Sequence, residues 1–209
     1  MNVNRDGNRR RTQAERRAAT RRALLEAARR LFSEKGYHGT AAEEIVRQAG
    51  LTRGALYHHF EDKKDLFRVV VDEMESEIDE AIERAERAED RLPEAVMAGY
   101  RAFVDAVLDP EMRRTFFVDG PSVLGWEWRE IDARHAVGKI EEGLEALIAE
   151  GYIEPQPVKP LARLINGALL EAAFFVATSE DPEAARDEAW SAMERLVSGL
   201  MRRGCSAQG

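Results

Sequence analysis

Two short helical segments joined by a tight turn constrain this chain more than any other feature of its sequence. Apolar residues recur at helical spacing in residues 40–48 and again in residues 52–59, and Ala49-Gly50-Leu51 separates the two segments. Gly50 can adopt the positive φ of a sharp turn, and the apolar Leu51 can fill the angle between the helices. The positions expected to lock the two helices together are Ile45, Leu51, Leu56 and Phe60. The pattern predicts a helix-turn-helix packed on a longer first helix.

The rest of the chain is also helical by pattern. Strand-like alternation is scarce, and the prolines and most glycines fall between periodic runs. We therefore predict an all-α fold of nine helices, which begin and end near residues 12–35, 40–48, 52–59, 62–90, 93–108, 110–118, 119–151, 160–178 and 182–203. Thr40 and Glu43 are predicted to form a capping box on the second helix. Asp119-Gly120-Pro121 is predicted to break the chain before the seventh.

Composition divides the chain into a basic third and an acidic remainder. Residues 1–70 carry 16 Lys and Arg against 9 Asp and Glu, whereas residues 71–209 carry 15 against 30. The basic part is expected to meet a polyanion, although charge alone does not separate nucleic acid from a lipid surface. The predicted domains are a disordered basic arm (1–12), a helix-turn-helix domain (13–60) and a helical domain (61–209), with the helix at 61–90 as their connector.

Membrane and disulfide-based classes are disfavoured by the same composition. The arginine-rich arm lacks the apolar face of a membrane-surface helix and the apolar run of a secretory signal. The richest apolar stretch, residues 168–177, is broken by Glu171 and is too short to cross a bilayer. The single cysteine, Cys205, permits no internal disulfide and fits a reducing compartment, so we predict a cytoplasmic protein without a membrane partner.

The third helix carries residue types that suit reading of the major groove of DNA. None of its non-core positions is acidic. Arg53 can donate two hydrogen bonds to guanine, and Thr52 and Tyr57 can bond phosphates. Thr40 and Lys63 lie at predicted helix starts, where free amides favour an anion. The candidate DNA contacts are Thr40, Thr52, Arg53, Ala55, Tyr57, His58 and Lys63.

The same segment resembles the signature of the TetR family of bacterial transcriptional regulators. The residues that carry the resemblance are Gly36-Tyr37, Thr40, Glu44-Ile45 and the run from Ala49 to Leu66, with mild departures at Ala41 and Val46. The resemblance implies a homodimer that binds a palindromic operator in double-stranded DNA. It also implies a C-terminal domain for ligand binding and dimerisation, with a small-molecule pocket whose occupation releases the DNA. Repression is the common behaviour of such a family, and activation is the alternative.

Two sets of residues in the helical domain are candidates for those further roles. The candidate pocket residues are Phe103, Met112, Phe116, Phe117, Trp126, Arg129, His135 and Glu171, for which ordinary core packing is the alternative. The eighth helix is apolar nearly all round and must therefore be buried. The candidate dimer contacts are Leu164, Ala168, Ala172, Phe175, Trp190, Met193, Leu196 and Leu200, which would form a four-helix interface rather than the centre of a monomer core.

A helical-bundle enzyme and a protein-interaction module are the competing classes. A di-iron site needs Glu-x-x-His pairs, and none of the four histidines follows a glutamate at that spacing. His58 and His59 are adjacent, so their side chains point about 100° apart on a helix and do not share a metal ion. An interaction module would leave the helix-turn-helix residues unexplained. We therefore predict a regulator that is not an enzyme and has no cofactor and no metal.

Overall fold

A computed structural model describes residues 12–201, and within that range the chain is all-α, as predicted. The nine helices of this part are α1 (Gln13–Lys35), α2 (Ala42–Gln48), α3 (Arg53–His59), α4 (Lys63–Glu86), α5 (Leu92–Asp105), α6 (110–124), α7 (Trp126–Ala149), α8 (Val158–Ala177) and α9 (Pro182–Ser198). An antiparallel bridge joins Ile153 to Met201. The predicted basic arm, apart from Thr12, and Cys205 lie outside the described residues.

Side-chain caps set the start of several helices. Thr12 and Glu15 form a reciprocal capping box on α1. Asp62 accepts a hydrogen bond from the backbone N–H of Asp65 at 2.8 Å and begins α4, as predicted. Asp181 caps α9 in the same way, with a proline at the first helical position.

Two predicted helix boundaries are wrong. Thr40 does not cap α2, whose N-cap is Ala41 without any side-chain hydrogen bond. The predicted break at residues 119–121 lies inside α6, which runs through Pro110–Met112, the π-helical Arg113–Asp119 and Gly120–Leu124. The proline in this segment lies in the first turn of the last piece, where its missing N–H is not needed. The chain breaks instead at Gly125, which has a φ of 60°.

α4 connects the helix-turn-helix to the helical domain and contributes to both cores. Its first turns bury Phe67, which packs edge to face on Phe32 of α1 with ring centroids 5.0 Å apart. Further along, Met74 and Ile78 are buried against the helical domain. The remaining helices pack in pairs, with α5 on α4, α8 on α7 and α9 on α8. One continuous apolar core therefore joins the two predicted domains.

Polar contacts also fix α1 and the loop after it to the helical domain. Arg29 of α1 forms ion pairs with Glu77 of α4 and, at 2.7 Å, with Glu111 of α6. The backbone N–H of Tyr37 donates to Asp119 Oδ2 of α6 at 2.8 Å. α6 therefore contacts the helix-turn-helix directly, in addition to the connection through α4.

α8 is apolar enough by length and composition to cross a bilayer, but here it packs as part of the helical bundle. One face is buried against α5, α7 and α9. The opposite face leaves Leu164 and Phe175 exposed, at 71% and 50% of their full surface. Within residues 12–201 the helix is therefore covered on one side only.

Candidate nucleic-acid interface and effector site

The helix-turn-helix has the predicted geometry. α2 ends at Gln48, Gly50 has a φ of 67°, and the N–H of Leu51 donates to the carbonyl of Val46 at 2.8 Å. The locking residues Ile45, Leu56 and Phe60 are buried, and Leu51 is partly buried against the same core. The turn therefore holds α3 at a fixed angle on α1 and α2.

α3 presents a polar and basic face to solvent. Thr52, Arg53, Tyr57 and His58 are exposed, and Ala55 is partly exposed. Arg53 Nη1 lies 3.0 Å from Glu43 Oε1 of α2, and its guanidinium carbon lies 5.5 Å from the centroid of the Tyr57 ring. Both members of the Arg53–Glu43 pair are mostly exposed, so the pair is weak and can be exchanged for a contact to a base edge.

His59 points partly inward behind this face. Burial lowers the pKa of His59, and His58, Arg17 and Arg21 lower it further by charge repulsion. The His58 and His59 rings lie 5.3 Å apart, roughly perpendicular to each other. No group of three or more metal-ligating side chains occurs among residues 12–201.

Thr40 and Lys63 are occupied inside the protein rather than on the DNA-facing surface. The Thr40 side chain is 1% exposed, and its hydroxyl lies within hydrogen-bonding distance of the carbonyls of Gly36 and Leu31, at 2.8 and 3.1 Å. Lys63 Nζ donates to the carbonyls of Tyr37 and Thr40, both at 2.9 Å. Burial lowers the pKa of Lys63. The Thr40 hydroxyl is therefore enclosed rather than presented on the surface, and Lys63 positions the loop before α2; contact of either residue with DNA stays a prediction.

The structure disperses the predicted pocket residues. Phe116 and Phe117 are fully buried and pack on Phe103 and on Trp128, so they fill the core rather than line a cavity. Met112 is partly buried against the same core. Of these four candidates, Phe103 lines a small cleft with a volume of about 50 Å³.

The polar pocket candidates lie in three separate places. His135 Nδ1 contacts Asp79 Oδ2 at 2.6 Å, which links α7 to α4. Trp126 and Arg129 line an open groove of about 700 Å³ at the start of α7, and Trp126 is 73% exposed. Glu171 is exposed on the outer face of α8, where it lines an open groove with Ala172 and Phe175, so its role as a pocket residue stays a prediction.

A buried polar cluster that sequence analysis missed lies between α4, α7 and α8. Asn166 Nδ2 donates to Asp132 Oδ2 at 2.8 Å, and Glu75 lies on the facing side of α4. These three side chains are at most 5% exposed. Burial, reinforced by repulsion from Asp132, raises the pKa of Glu75 well above its usual value, and burial raises the pKa of Asp132 to about 6. Within the described residues, Glu75 Oε2 and Asp132 Oδ1 are buried without a hydrogen-bond partner.

The same cluster connects the two spaces described above. Asp132 and Asn166 line the open groove, and Asn166 also lines the small cleft between α4, α5, α7 and α8. Asn166 is therefore common to the walls of the groove and of the cleft.

The dimer candidates lie mainly on one surface formed by α8 and α9. Leu164, Phe175 and Leu196 are exposed, and Ala168 and Ala172 lie between them at partial exposure. Trp190 and Leu200 are partly buried against the core of this chain. Met193 is 4% exposed, so most of its surface is already used within this chain.

A helix-turn-helix with a basic reading helix, joined to a helical domain, defines a class of DNA-binding regulators. Comparison with known proteins supports this assignment over most of the chain. Residues 24–70 match the family described as bacterial regulatory proteins, tetR family, and residues 93–200 match the tetracyclin repressor-like C-terminal domain. The chain belongs to the TetR family of transcriptional regulators.

Individual relatives agree with this family. A TetR-family transcriptional regulator from Pectobacterium atrosepticum is 37% identical, with a TM-score of 0.83 over 92% of this chain and 99% of that chain. The repressor AcnR from Corynebacterium efficiens is 31% identical over 73% of this chain and 85% of its own length. In fold alone, the chain is similar to FadR from Bacillus subtilis, solved with stearoyl-CoA, at 19% identity and a TM-score of 0.66 over 82% of this chain and 96% of that chain. The chain is a helix-turn-helix transcriptional regulator, and ligand-responsive repression is typical of its family.

Proposed function

We propose that this regulator is a cytoplasmic repressor that binds a palindromic operator as a homodimer and leaves the DNA when a small molecule occupies its helical domain. The observation that carries the proposal is the exposed face of α3, where Arg53 is held between Glu43 and Tyr57 and no acidic residue lies on the helix itself. A second copy of the chain would place a second α3 in the next turn of the major groove.

Selection from random duplex DNA, followed by binding assays on the selected and on scrambled sequences, tests operator recognition. We expect a sequence with two-fold symmetry, and an affinity that falls about 10³-fold or more between 50 and 200 mM salt if six or more phosphates are contacted. Arg53→Ala is expected to reduce the difference in binding free energy between the selected and the scrambled sequences by about 1–3 kcal/mol. Arg84→Ala, which removes an exposed arginine at the far end of α4, is the matched control. Affinity that does not depend on salt, or equal losses on both sequences for Arg53→Ala, would contradict operator reading.

The homodimer proposal is supported by the exposed apolar surface of α8 and α9. Leu164, Phe175 and Leu196 are three of the six large apolar side chains that are exposed in the described part of the chain. Such side chains are normally covered by a partner when they cluster. The Ala168 and Ala172 side chains between them are small enough for close helix approach.

Light scattering on purified protein tests this interface. We expect the mass of a dimer for the unaltered chain and of a monomer for Phe175→Glu, because the substitution would bury an unpaired charge at the interface. Val118→Glu changes an exposed apolar residue of α6 and is the matched control. A Phe175→Glu variant that remains dimeric would place the interface elsewhere.

Effector binding is supported by the polar atoms that the helical domain leaves without partners. Among the described residues, the buried atoms without a hydrogen bond include Tyr100 Oη, Thr115 Oγ1 and Trp128 Nε1, in addition to the carboxyl oxygens of Glu75 and Asp132. Folded proteins leave few such atoms, and a bound ligand or water can satisfy them. FadR from Bacillus subtilis, which is similar in fold, was solved with a small molecule bound.

Release from DNA is proposed to pass through α6. Asp119 accepts a hydrogen bond from the backbone N–H of Tyr37, and Glu111 forms an ion pair with Arg29. Movement of α6 is therefore expected to shift the loop before α2. Asp119→Ala is expected to leave effector binding intact and to reduce the change in operator affinity that the effector causes. An unchanged effector response in this variant would exclude the contact as part of the coupling.

A further inference from the structure

Glu43 is an acidic residue that lies beside the exposed face of α3. It belongs to the first turn of α2, and its Oε1 atom is 3.0 Å from Nη1 of Arg53, the first residue of α3. Both side chains are mostly exposed, at 63% of full surface for Glu43 and 66% for Arg53. A carboxylate in this place is repelled by the phosphates of bound DNA, which lowers the affinity for every sequence. Any favourable effect of Glu43 on DNA binding must therefore act through Arg53, the side chain that it contacts.

The adjacent Glu44 has different partners. It forms ion pairs with Lys35 of α1 and, at 3.6 Å, with Arg47 of α2. Glu44 therefore links α2 to α1, whereas Glu43 contacts the reading helix. Because the two residues carry the same charge at neighbouring positions of one helix, Glu44 is a matched control for Glu43.

The guanidinium group of Arg53 has two neighbours that restrict it. Glu43 binds Nη1, and the centroid of the Tyr57 ring lies 5.5 Å from the guanidinium carbon. Tyr57 is one turn further along α3, and its hydroxyl lies 3.5 Å from Arg53 Nη2. An exposed arginine without such neighbours samples many rotamers, and ordering it on binding costs about 2- to 12-fold in affinity. Contacts that already order the side chain in the free protein remove part of this cost.

The contact with Glu43 leaves donors of Arg53 free for a base. A guanidinium group has five N–H donors in a planar fork. With Nη1 directed to Glu43, the edge formed by Nε and Nη2 remains for two hydrogen bonds to O6 and N7 of guanine, which is the commonest specific contact of arginine. The pair with Glu43 therefore does not have to break when Arg53 reads a base.

We propose that Glu43 is a positioning residue for operator reading, which orients the Arg53 guanidinium for a bidentate contact with guanine. This inference rests on the proposed function, in which Arg53 reads a base edge in the major groove. Specificity is a difference between two affinities. Glu43 increases this difference in two ways, because it orders Arg53 for the correct base and draws the guanidinium away from the phosphates of other sequences.

Fluorescence anisotropy with the full chain tests the proposal on the selected operator, on a scrambled duplex and on operators with one base pair altered. The ratio of the Kd for the scrambled duplex to the Kd for the operator measures discrimination. We expect Glu43→Ala to lower this ratio about 3- to 10-fold, and to lose preference at the same base pair as Arg53→Ala. In an Arg53→Ala background, Glu43→Ala should change the ratio less than about twofold.

Two further variants and a stability measurement serve as controls. Glu44→Ala should strengthen binding to all duplexes by the same factor and leave the ratio unchanged, because phosphate contacts carry no sequence information. Glu43→Gln keeps an oxygen that can accept from Arg53, so its ratio should lie between those of Glu43→Ala and the unaltered chain. The midpoint of thermal unfolding should be the same for Glu43→Ala and the unaltered chain, because the pair is exposed.

Three results would overturn the proposal. The first is a Glu43→Ala variant that binds every duplex more tightly by one factor, which is the effect of charge repulsion alone. The second is a ratio that falls equally in the Arg53→Ala background, and the third is a ratio that falls together with the unfolding midpoint. If Arg53→Ala itself leaves the ratio unchanged, base reading by Arg53 fails as well. If Arg53→Ala lowers the ratio and Glu43→Ala does not, the proposed function stands and the positioning role of Glu43 is refuted.

Discussion

Replacing Asp132 by asparagine measures how strongly the buried carboxyl group opposes folding at neutral pH. Burial raises the pKa of Asp132 from 3.8 to about 6. A difference of about two pKa units between the folded and unfolded states corresponds to about 3 kcal/mol, at ~1.4 kcal/mol per unit. Since the folded state holds the proton more tightly, the stability linked to this group is present at low pH and is lost as the pH rises through 6.

Asp132→Asn retains an oxygen that can accept the hydrogen bond of Asn166 but carries no charge. We therefore expect the variant and the unaltered chain to have similar free energies of unfolding near pH 4. At pH 8 the variant should be more stable by about 2–3 kcal/mol. Urea unfolding followed by circular dichroism at several pH values, with the protein concentration held constant, measures the difference.

Asp90→Asn is the matched control, because Asp90 is exposed in the turn between α4 and α5. Its free energy of unfolding should follow that of the unaltered chain at every pH. If Asp132→Asn shifts stability by the same amount at pH 4 and pH 8, or lowers it at pH 8, the reasoning about the buried carboxyl is refuted.

Two further substitutions test packing and loop positioning. Gly120→Ala would place a Cβ atom 2.7 Å from Trp128 Cδ1 and should lower the free energy of unfolding by about 1–3 kcal/mol. Gly138→Ala, with open space around it, is the control and should raise the free energy of unfolding by up to ~1 kcal/mol. Similar effects of the two substitutions in urea unfolding would contradict the close approach of Gly120 to Trp128. Lys63→Met removes the hydrogen bonds to the carbonyls of Tyr37 and Thr40, so the free energy of unfolding should fall by about 1–3 kcal/mol, and operator affinity should fall with it. An unchanged free energy of unfolding together with weaker DNA binding would instead assign Lys63 to a phosphate contact.

The helix-turn-helix could be predicted from the sequence because its signals are local. Gly50 supplies the turn, Asp62 supplies a cap, and the apolar residues follow helical spacing. The roles of Thr40 and Lys63 could not be predicted in this way. A threonine near a helix start is a common cap, but this one hydrogen-bonds back to the end of α1, and only the folded arrangement of the loop shows that it does.

The buried cluster left a signal in the sequence that periodicity analysis did not use. Glu75, Asp132 and Asn166 each follow directly after a buried apolar residue and occupy the core-facing side of their helices. A polar residue in such a position marks either a hydrogen-bonded core group or a binding site. Which of the two applies depends on the partners across the helix interface, which lie far away in sequence.

The π-helical segment of α6 has a consequence for how the two halves of the molecule communicate. A π-turn accommodates one residue more than an α-turn, so conversion of this segment to regular α-helix would rotate one end against the other by about 100°. Phe116 and Phe117 are buried in the core at the middle of the segment. At the end of the segment, Asp119 accepts a hydrogen bond from the backbone N–H of Tyr37. A discrete change of winding, rather than gradual bending, would therefore be enough to break the hydrogen bond between Tyr37 and Asp119 in a single step.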